Sequence, residues 1–436
     1  MFEDCVFDDA LVLREASFPT LHFRHCRLEQ GIDAADIVVH RALCLDQRCW
    51  AGRAVCMDGA RIGGLLDCSH SAFSTRHGAA LSLVGANIGG DLRCCGRFRA
   101  RGEVRVAKAV VAGEVDFTGA RLYNPGRVTL FADNVRVAGR VACGPRTLFY
   151  GKVDMRRAEI GSQLRFLGRS IAPHALAWNL EAARVARAVV FVPEAPIVGE
   201  VNMTNATFAY LRDNDNTWAG GYELSGLEFG SLISSNEQSE AGARLRAAGR
   251  RGRPGEAAGG LRWWRPDPVT AKRIAWLGRN ASGYQPQLYD QLAADYRDAG
   301  HVQRQRYVLI AKQQRRRAHL PAPARLWSRI EEWLLGFGYR SWQALIFVAL
   351  LLVGGIIFYA LTPKDVVPFR AQEARPPFWP AIYTVDLLVP FVSIAQREQF
   401  VTRHFGTVLA TVLTVSGWLL LTAIIAGVTG FIRRTD

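Results

Sequence analysis

The sequence predicts an all-β N-terminal domain, a right-handed β-solenoid of the parallel β-helix type, followed by an α-helical neck and two transmembrane helices. Three observations carry this expectation. A short pattern recurs through the first two hundred residues, the apolar period becomes helical after residue 268, and two long apolar runs without a charge lie near the C-terminus.

The recurring pattern is small-x-[IV]-[GA]-x-x-[LV]-x-[CF]. It reads ARIGGLLDC from Ala60, ANIGGDLRC from Ala86, AVVAGEVDF from Ala109, VRVAGRVAC from Val135, AEIGSQLRF from Ala158 and ARVARAVVF from Ala183, at intervals of 23–26 residues. Leu66, Leu92, Val115, Val141, Leu164 and Val189 align within it, and Cys68, Cys94, Phe117, Cys143, Phe166 and Phe191 follow two positions on. That spacing puts both side chains on one face of a short strand. A further strand per unit is expected at LSL from Leu81, VRV from Val104, VTL from Val128, VDM from Val153 and VNM from Val201. Glycine at the corners admits the turns between strands. Short strands with a fixed period describe coils that stack like face on like face, with the aligned Cys and Phe as an internal ladder. The last recognisable coil is Tyr222–Ile233.

Composition agrees with a divided chain. The 436 residues carry a formal charge of +15, with arginines concentrated between Arg244 and Arg340, which points to an anionic neighbour. All nine cysteines precede residue 144, with no Cys-x-x-Cys pair, which argues against a disulfide framework or a zinc site. A buried thiol serves instead as a small apolar filler. The opening MFEDCVFDDALVLREASF has acidic residues where a signal peptide is basic, so the N-terminal part is expected in a reducing cytoplasm.

The expected division is a solenoid over 1–233, a flexible Gly- and Arg-rich insertion over 234–267, a basic helical neck over 268–340, and a membrane hairpin over 341–436. In the neck, Leu288, Leu292 and Tyr296 share one helix face, Gly300 ends that helix, and Val302, Tyr307, Ile310 and Ala311 belong to a second. The spans are placed at 342–361 and 407–430, each long enough for about 30 Å of hydrocarbon. Arg315, Arg316, Arg317, Arg325, Arg329 and Arg340 precede the first span, and Arg433 and Arg434 follow the second. By the positive-inside rule both termini are then cytoplasmic, at a bacterial inner membrane, with these arginines on anionic headgroups.

Between the spans, 376–396 reads as a re-entrant or interfacial segment. A third span would put the final arginines outside and bury Asp386 near the bilayer centre. Trp379 and Tyr383 suit an interfacial depth. In a pore, Asp386, Thr384 and Ser393 would offer oxygen ligands, but VPFVSIAQ lacks the glycines that turn backbone carbonyls toward an ion. In a cap, Asp386 would face water. Gly354–Gly355 and IIAGVTG would let helices or protomers pack closely, consistent with a homo-oligomer.

Phe18, Phe23 and Leu28 stand five apart, each preceded at two by Ala16, Leu21 or Cys26, a spacing that resembles the pentapeptide-repeat pattern. On the motifs GARIGGLLDCS, YQPQLYDQLAADYRDAG, LIAKQQRRR, GYRSW, YTVDLLVPFVSIAQ and GWLLLTAIIAGVTG, the chain resembles a family of bacterial proteins with a pentapeptide-like solenoid and a C-terminal two-helix membrane hairpin. The resemblance covers nearly the whole chain, and members often carry the label "membrane-associated oxidoreductase". It implies the fold and the membrane, and supplies no catalytic residue.

The residues do not form a known redox centre. GARIGG and GANIGG have the wrong spacing for Gly-x-Gly-x-x-Gly and lead into strands. In HFRHC the five-residue register turns Cys26 inward and leaves His22 and His25 outside, and neither span holds a histidine for haem. No catalytic, cofactor-binding or metal-ligating set emerges. The expected function is a membrane-anchored, non-enzymatic scaffold with an unidentified protein partner. The alternatives are an oligomeric two-span ion channel or transporter subunit regulated by the solenoid, and the oxidoreductase that the resemblance implies. Nucleic acid is the weaker anionic partner, because Trp263 and Trp264 lie outside any recognisable module.

Overall fold

The computed structural model describes residues 1–234, 266–318, 321, 324–325, 342–363, 366–368, 377–389, 396–403 and 405–432. The chain forms two compact units, Met1–Val308 and Leu309–Asp436.

The first unit is a β-solenoid of about ten coils, built from parallel strand pairings. Each coil has four short sides, and each side turns one residue inward above its equivalent in the neighbouring coil. On side 2 the row runs Leu21, Leu43, Leu66, Leu92, Val115, Val141, Leu164, Val189, Leu211 and Leu232, containing the six residues expected to align. The Cys and Phe ladder from Cys68 to Phe191 is fully buried, as expected. Side 1 stacks Ile62, Ile88, Val111, Val137 and Ile160. Side 3 stacks Phe73, Ala100, Leu122, Phe149 and Ser170, a row the repeat pattern did not disclose. Each fully buried large apolar side chain is worth about 1.5–3 kcal/mol, so these rows hold the coils together.

Three expectations are corrected. On side 4 the residue above Val104 and below Val153 is Leu130, so the VTL register slips by two. The coil between Val153 and Val201 was missed because its place is taken by Trp178, packed within 4.8–5.6 Å of Phe149, Phe166 and Phe191. The motif glycines also act differently. Turns with positive φ fall just before each repeat, at Gly59, Gly85, Lys108, Asn134, Arg157 and Ala182, of which only two are glycine. Gly63 and Gly89 leave room instead, since a Cβ on either would strike a carbonyl of the coil beneath.

Coils also alternate. Sides 3 and 4 merge into long strands at Ala72–Ser82, Arg121–Phe131 and Arg169–Asn179, each with an outward excursion. The coils between them are shorter and cross the same corner at Gly102, Gly151 and Gly199, with φ of 120°, 127° and 113°. A Cβ on Gly151 would meet the carbonyls of Asn124 and Arg127 in the excursion beside it.

The final strand, Glu228–Ser234, is closed by helices α1 (Pro268–Leu277) and α2 (Pro286–Asp298). Gln291 Oε1 accepts from Phe229 N–H at 3.3 Å, and Asp295 Oδ2 accepts from Leu232 N–H at 3.2 Å, satisfying an edge that would otherwise be bare. Arg273 of α1 donates twice to buried Asp213, at 2.6 and 2.7 Å. Leu288, Leu292 and Tyr296 are buried, and Gly300 follows α2 with φ 77°, both as expected. Helix α3 (Val302–Arg317) buries Ile310 and Ala311, but Val302 is exposed and Val308 is the buried residue of its first turns.

In the second unit, α4 (Trp342–Leu361) and α7 (Phe405–Ile432) fall where the spans were expected. Among the described residues no helix is long and apolar enough to cross a membrane. Between these helices lie α5 (Pro380–Leu388), α6 (Gln396–Gln399) and a two-stranded antiparallel ribbon of Val366–Pro368 with Phe400–Thr402. Their core is Tyr359, Tyr383, Leu387, Leu388, Phe400 and Leu413.

Candidate functional site

Among the described residues, segment 376–396 holds the nine-residue helix α5, which begins at Pro380, and the first residue of α6. Thr384 is fully buried, and its hydroxyl donates to the Pro380 carbonyl at 2.7 Å. Asp386 neither faces water nor stands free as an ion ligand. It is 4% exposed, and its Oδ2 accepts the backbone N–H of Arg397 at 2.8 Å, at the start of α6. A carboxylate at that position satisfies an orphan amide and favours the helix N-terminus. Ser393 lies outside the described residues. Trp379 is exposed, but Tyr383 is buried against Tyr359, with ring centroids 5.1 Å apart, so only Trp379 is available to an interface. Gly355 and Gly417 seat this short helix, since a Cβ on either would strike Thr384 or the Leu388 carbonyl.

Of the expected lipid-contacting arginines, Arg315 and Arg316 are exposed and Arg317 half-buried in the last turn of α3, where cations complement the helix dipole. Arg325 is exposed. Arg329, Arg340, Arg433 and Arg434 lie outside the described residues, as does 235–265 of the insertion.

Cys26, Cys44, Cys49, Cys68, Cys94 and Cys143 are buried and pack as filler, while Cys5, Cys56 and Cys95 are half-buried. Burial pushes the Cys44 thiol up to about 11 and Cys49 up to about 12, and raises Cys143 further. Contact with Cys94 and burial together raise Cys68. In these four the shift is away from the thiolate, the form that redox chemistry or metal binding requires. Cys26 is buried while His25 is exposed, as the register predicts. His25 lies instead with Glu3 and Asp4, and all three are exposed. Inside the solenoid, a void of about 10 Å³ among Val111, Val115, Leu130 and Val141 has apolar walls and offers no polar partner to a ligand.

The strongest surface feature escaped the sequence reading. Side 3 turns two rows outward. One carries Arg27, Trp50, Ala72, Arg99, Arg121, Leu148 and Arg169. The other carries Arg101, Tyr123, Tyr150, Ile171 and Val198. Neighbouring coils are about 4.8 Å apart. Arg99, Arg101, Arg121 and Arg169 are exposed, and among the described residues none of the four pairs with a carboxylate. The Tyr123 and Tyr150 rings stack at 5.0 Å, with Tyr123 49% exposed.

On the other sides several charges are paired, Arg93 with Asp91 at 2.9 Å, Arg140 with Glu114 at 2.8 Å, Arg136 with Glu159 at 3.2 Å and Lys152 with Asp154 at 3.1 Å, while Arg61, Arg165 and Arg184 are exposed and, among the described residues, meet no carboxylate. The signal for side 3 was the triplet series RAR, RLY, LFY and RSI, one per coil, each centred on a core residue. It was hidden because the alternating coil length breaks its period.

No protein-family model, curated protein or solved structure matches the chain.

Proposed function

We propose that the chain is a membrane-seated, non-enzymatic interaction protein, with the helical unit as the anchor and the solenoid as the platform. The observation that carries this reading is a pair of exposed apolar rows. Helix α4 turns Ile346, Leu350, Val353, Ile357 and Leu361 outward, and α7 turns out Phe405, Val408, Val412, Val415 and Trp418. Spacings of three and four put each row on one helix face. In water such surfaces associate or aggregate, whereas acyl chains accept them. The arginines at the end of α3 support a seat at the inner face of a bacterial membrane, where each gains about 1 kcal/mol beside anionic lipid.

Scaffolding is the reading for the solenoid because its interior is filled by apolar rows, while its outward sides are long, regular and rigid. The engagement of Asp386 by a backbone amide counts against a pore built around it. The test is flotation of the purified full chain with vesicles of neutral phosphatidylcholine. An inserted anchor keeps the chain in the floating fraction through high salt and alkaline carbonate. Release by either wash would overturn the anchor.

A further inference from the structure

We propose that side 3 of the solenoid docks on an anionic phospholipid surface. The inference rests on the bilayer reading above, and it assigns a second, independent lipid contact.

Like charges are stacked on side 3. Arg99 and Arg121 stand directly above one another in register, with Arg101 two residues along from Arg99, and Arg169 farther up the same row. Two unit charges 4 Å apart repel by about 1 kcal/mol even in water. Elsewhere on the solenoid, Arg140 meets Glu114, and the exposed Arg61, Arg165 and Arg184 have no cation at the paired positions of the adjoining strands. On side 3 Arg27 meets Glu29 at 2.9 Å, but the stacked Arg99, Arg101, Arg121 and Arg169 are left for something outside the chain, and charge complementarity makes it anionic.

Shape narrows the class. Side 3 is a ladder of parallel strands, and beyond Arg101 its second row is apolar and aromatic: Tyr123, Tyr150, Ile171 and Val198. Arginine beside tyrosine is the composition of an interfacial surface, with guanidinium groups at phosphates and rings at headgroup depth. Lipid headgroups diffuse freely and so can meet arginines spaced by coils of about 4.8 Å. Single-stranded nucleic acid fits less well. Tyr123 and Tyr150 are only 5.0 Å apart, whereas a base inserted between two rings needs about twice the 3.4 Å stacking distance.

The experiment uses the full chain in two nanodisc preparations, phosphatidylcholine alone and phosphatidylcholine with phosphatidylglycerol. Arginines are modified with phenylglyoxal and read by mass spectrometry. Arg99, Arg101, Arg121 and Arg169 should be modified several-fold more slowly with phosphatidylglycerol, while Arg136 and Arg140 on other sides should not change. Equal rates in both preparations would overturn the proposal and leave the anchor intact. Protection by an oligonucleotide without lipid, equal to that by phosphatidylglycerol, would overturn it in favour of nucleic acid.

If the chain fails to float with neutral vesicles, the anchor is wrong, and side 3 is then tested by adding anionic vesicles to the soluble chain. Each arginine near an anionic surface is worth about fivefold in affinity. The variant R99E/R101E/R121E/R169E should therefore bind at least about a hundredfold more weakly, and the charge-matched R93E/R136E/R140E/R157E should bind far better. Equal binding by the two variants would sink the proposal. The phenylglyoxal rates need no variant, so a misfolded variant does not remove the test.

Discussion

The two units place their apolar side chains in opposite ways. The solenoid gathers its inward Leu, Val, Ile and Phe into closed rows and turns charge outward. The helical unit buries a cluster around Tyr359, Tyr383 and Leu413 and leaves described faces of α4 and α7 apolar outside. The same residue type therefore has opposite energetic meaning in the two places. Buried Trp178 is held by three aromatic neighbours, while exposed Leu350 has no equivalent enclosure, and only the surroundings decide whether it is favourable.

That contrast can be broken by substitution. The largest effect is expected for Trp178→Ala, which should lower stability by about 3–5 kcal/mol in urea titration of the solenoid signal. Leu350→Ala, assayed in the same way, should change it by less than about 0.5 kcal/mol. An equal loss at both sites would mean that the outward row of α4 is packed.

Inside the helical unit, Tyr359 donates to the Gly406 carbonyl at 3.0 Å, tying α4 to α7. Tyr359→Phe should cost about 0.5–1.5 kcal/mol by removing that hydrogen bond, read as a lower melting midpoint in detergent. Asp386→Ala should cost about 1 kcal/mol, the usual worth of a helix cap. It should leave cation leakage from proteoliposomes equal to that of the wild type. Leakage that depends on Asp386 would restore the pore reading.

The smallest effect concerns the filler thiols and sharpens the solenoid side of the contrast. Cys44 and Cys49 have pKa values raised by burial from the ordinary 9.0 to about 11 and about 12. The folded state therefore keeps protons that the unfolded chain loses above pH 9. Their contribution is fully present below pH 9 and is lost as pH rises toward 11–12. The urea midpoint should fall across that window, and fall less in Cys49→Ala.

The solenoid was legible because stacking demands the same residue class at the same place in each coil, which leaves a period in the sequence. Leu66 to Val189 and Cys68 to Phe191 were readable for that reason. Leu130 and Trp178 were not, because the excursions at 75–78, 124–127 and 172–175 insert residues between two sides and shift the count. The arginine rows of side 3 were lost to the same shift. Positions of the long helices were legible from apolar runs alone, whereas the engagement of Asp386 was not. Its partner is a backbone amide, and every non-proline residue offers one, so no sequence pattern marks it.

The alternation of long and short coils has a consequence for how such a chain can change length. A coil with an excursion needs a glycine coil beside it, as Asn124 and Arg127 need Gly151. Removing one coil would set two excursions, or two glycine corners, against each other. Removing an adjacent long and short coil together would restore the phase. The inheritable unit of this solenoid is thus a pair of coils, and lengths that differ by a single coil should be selected against.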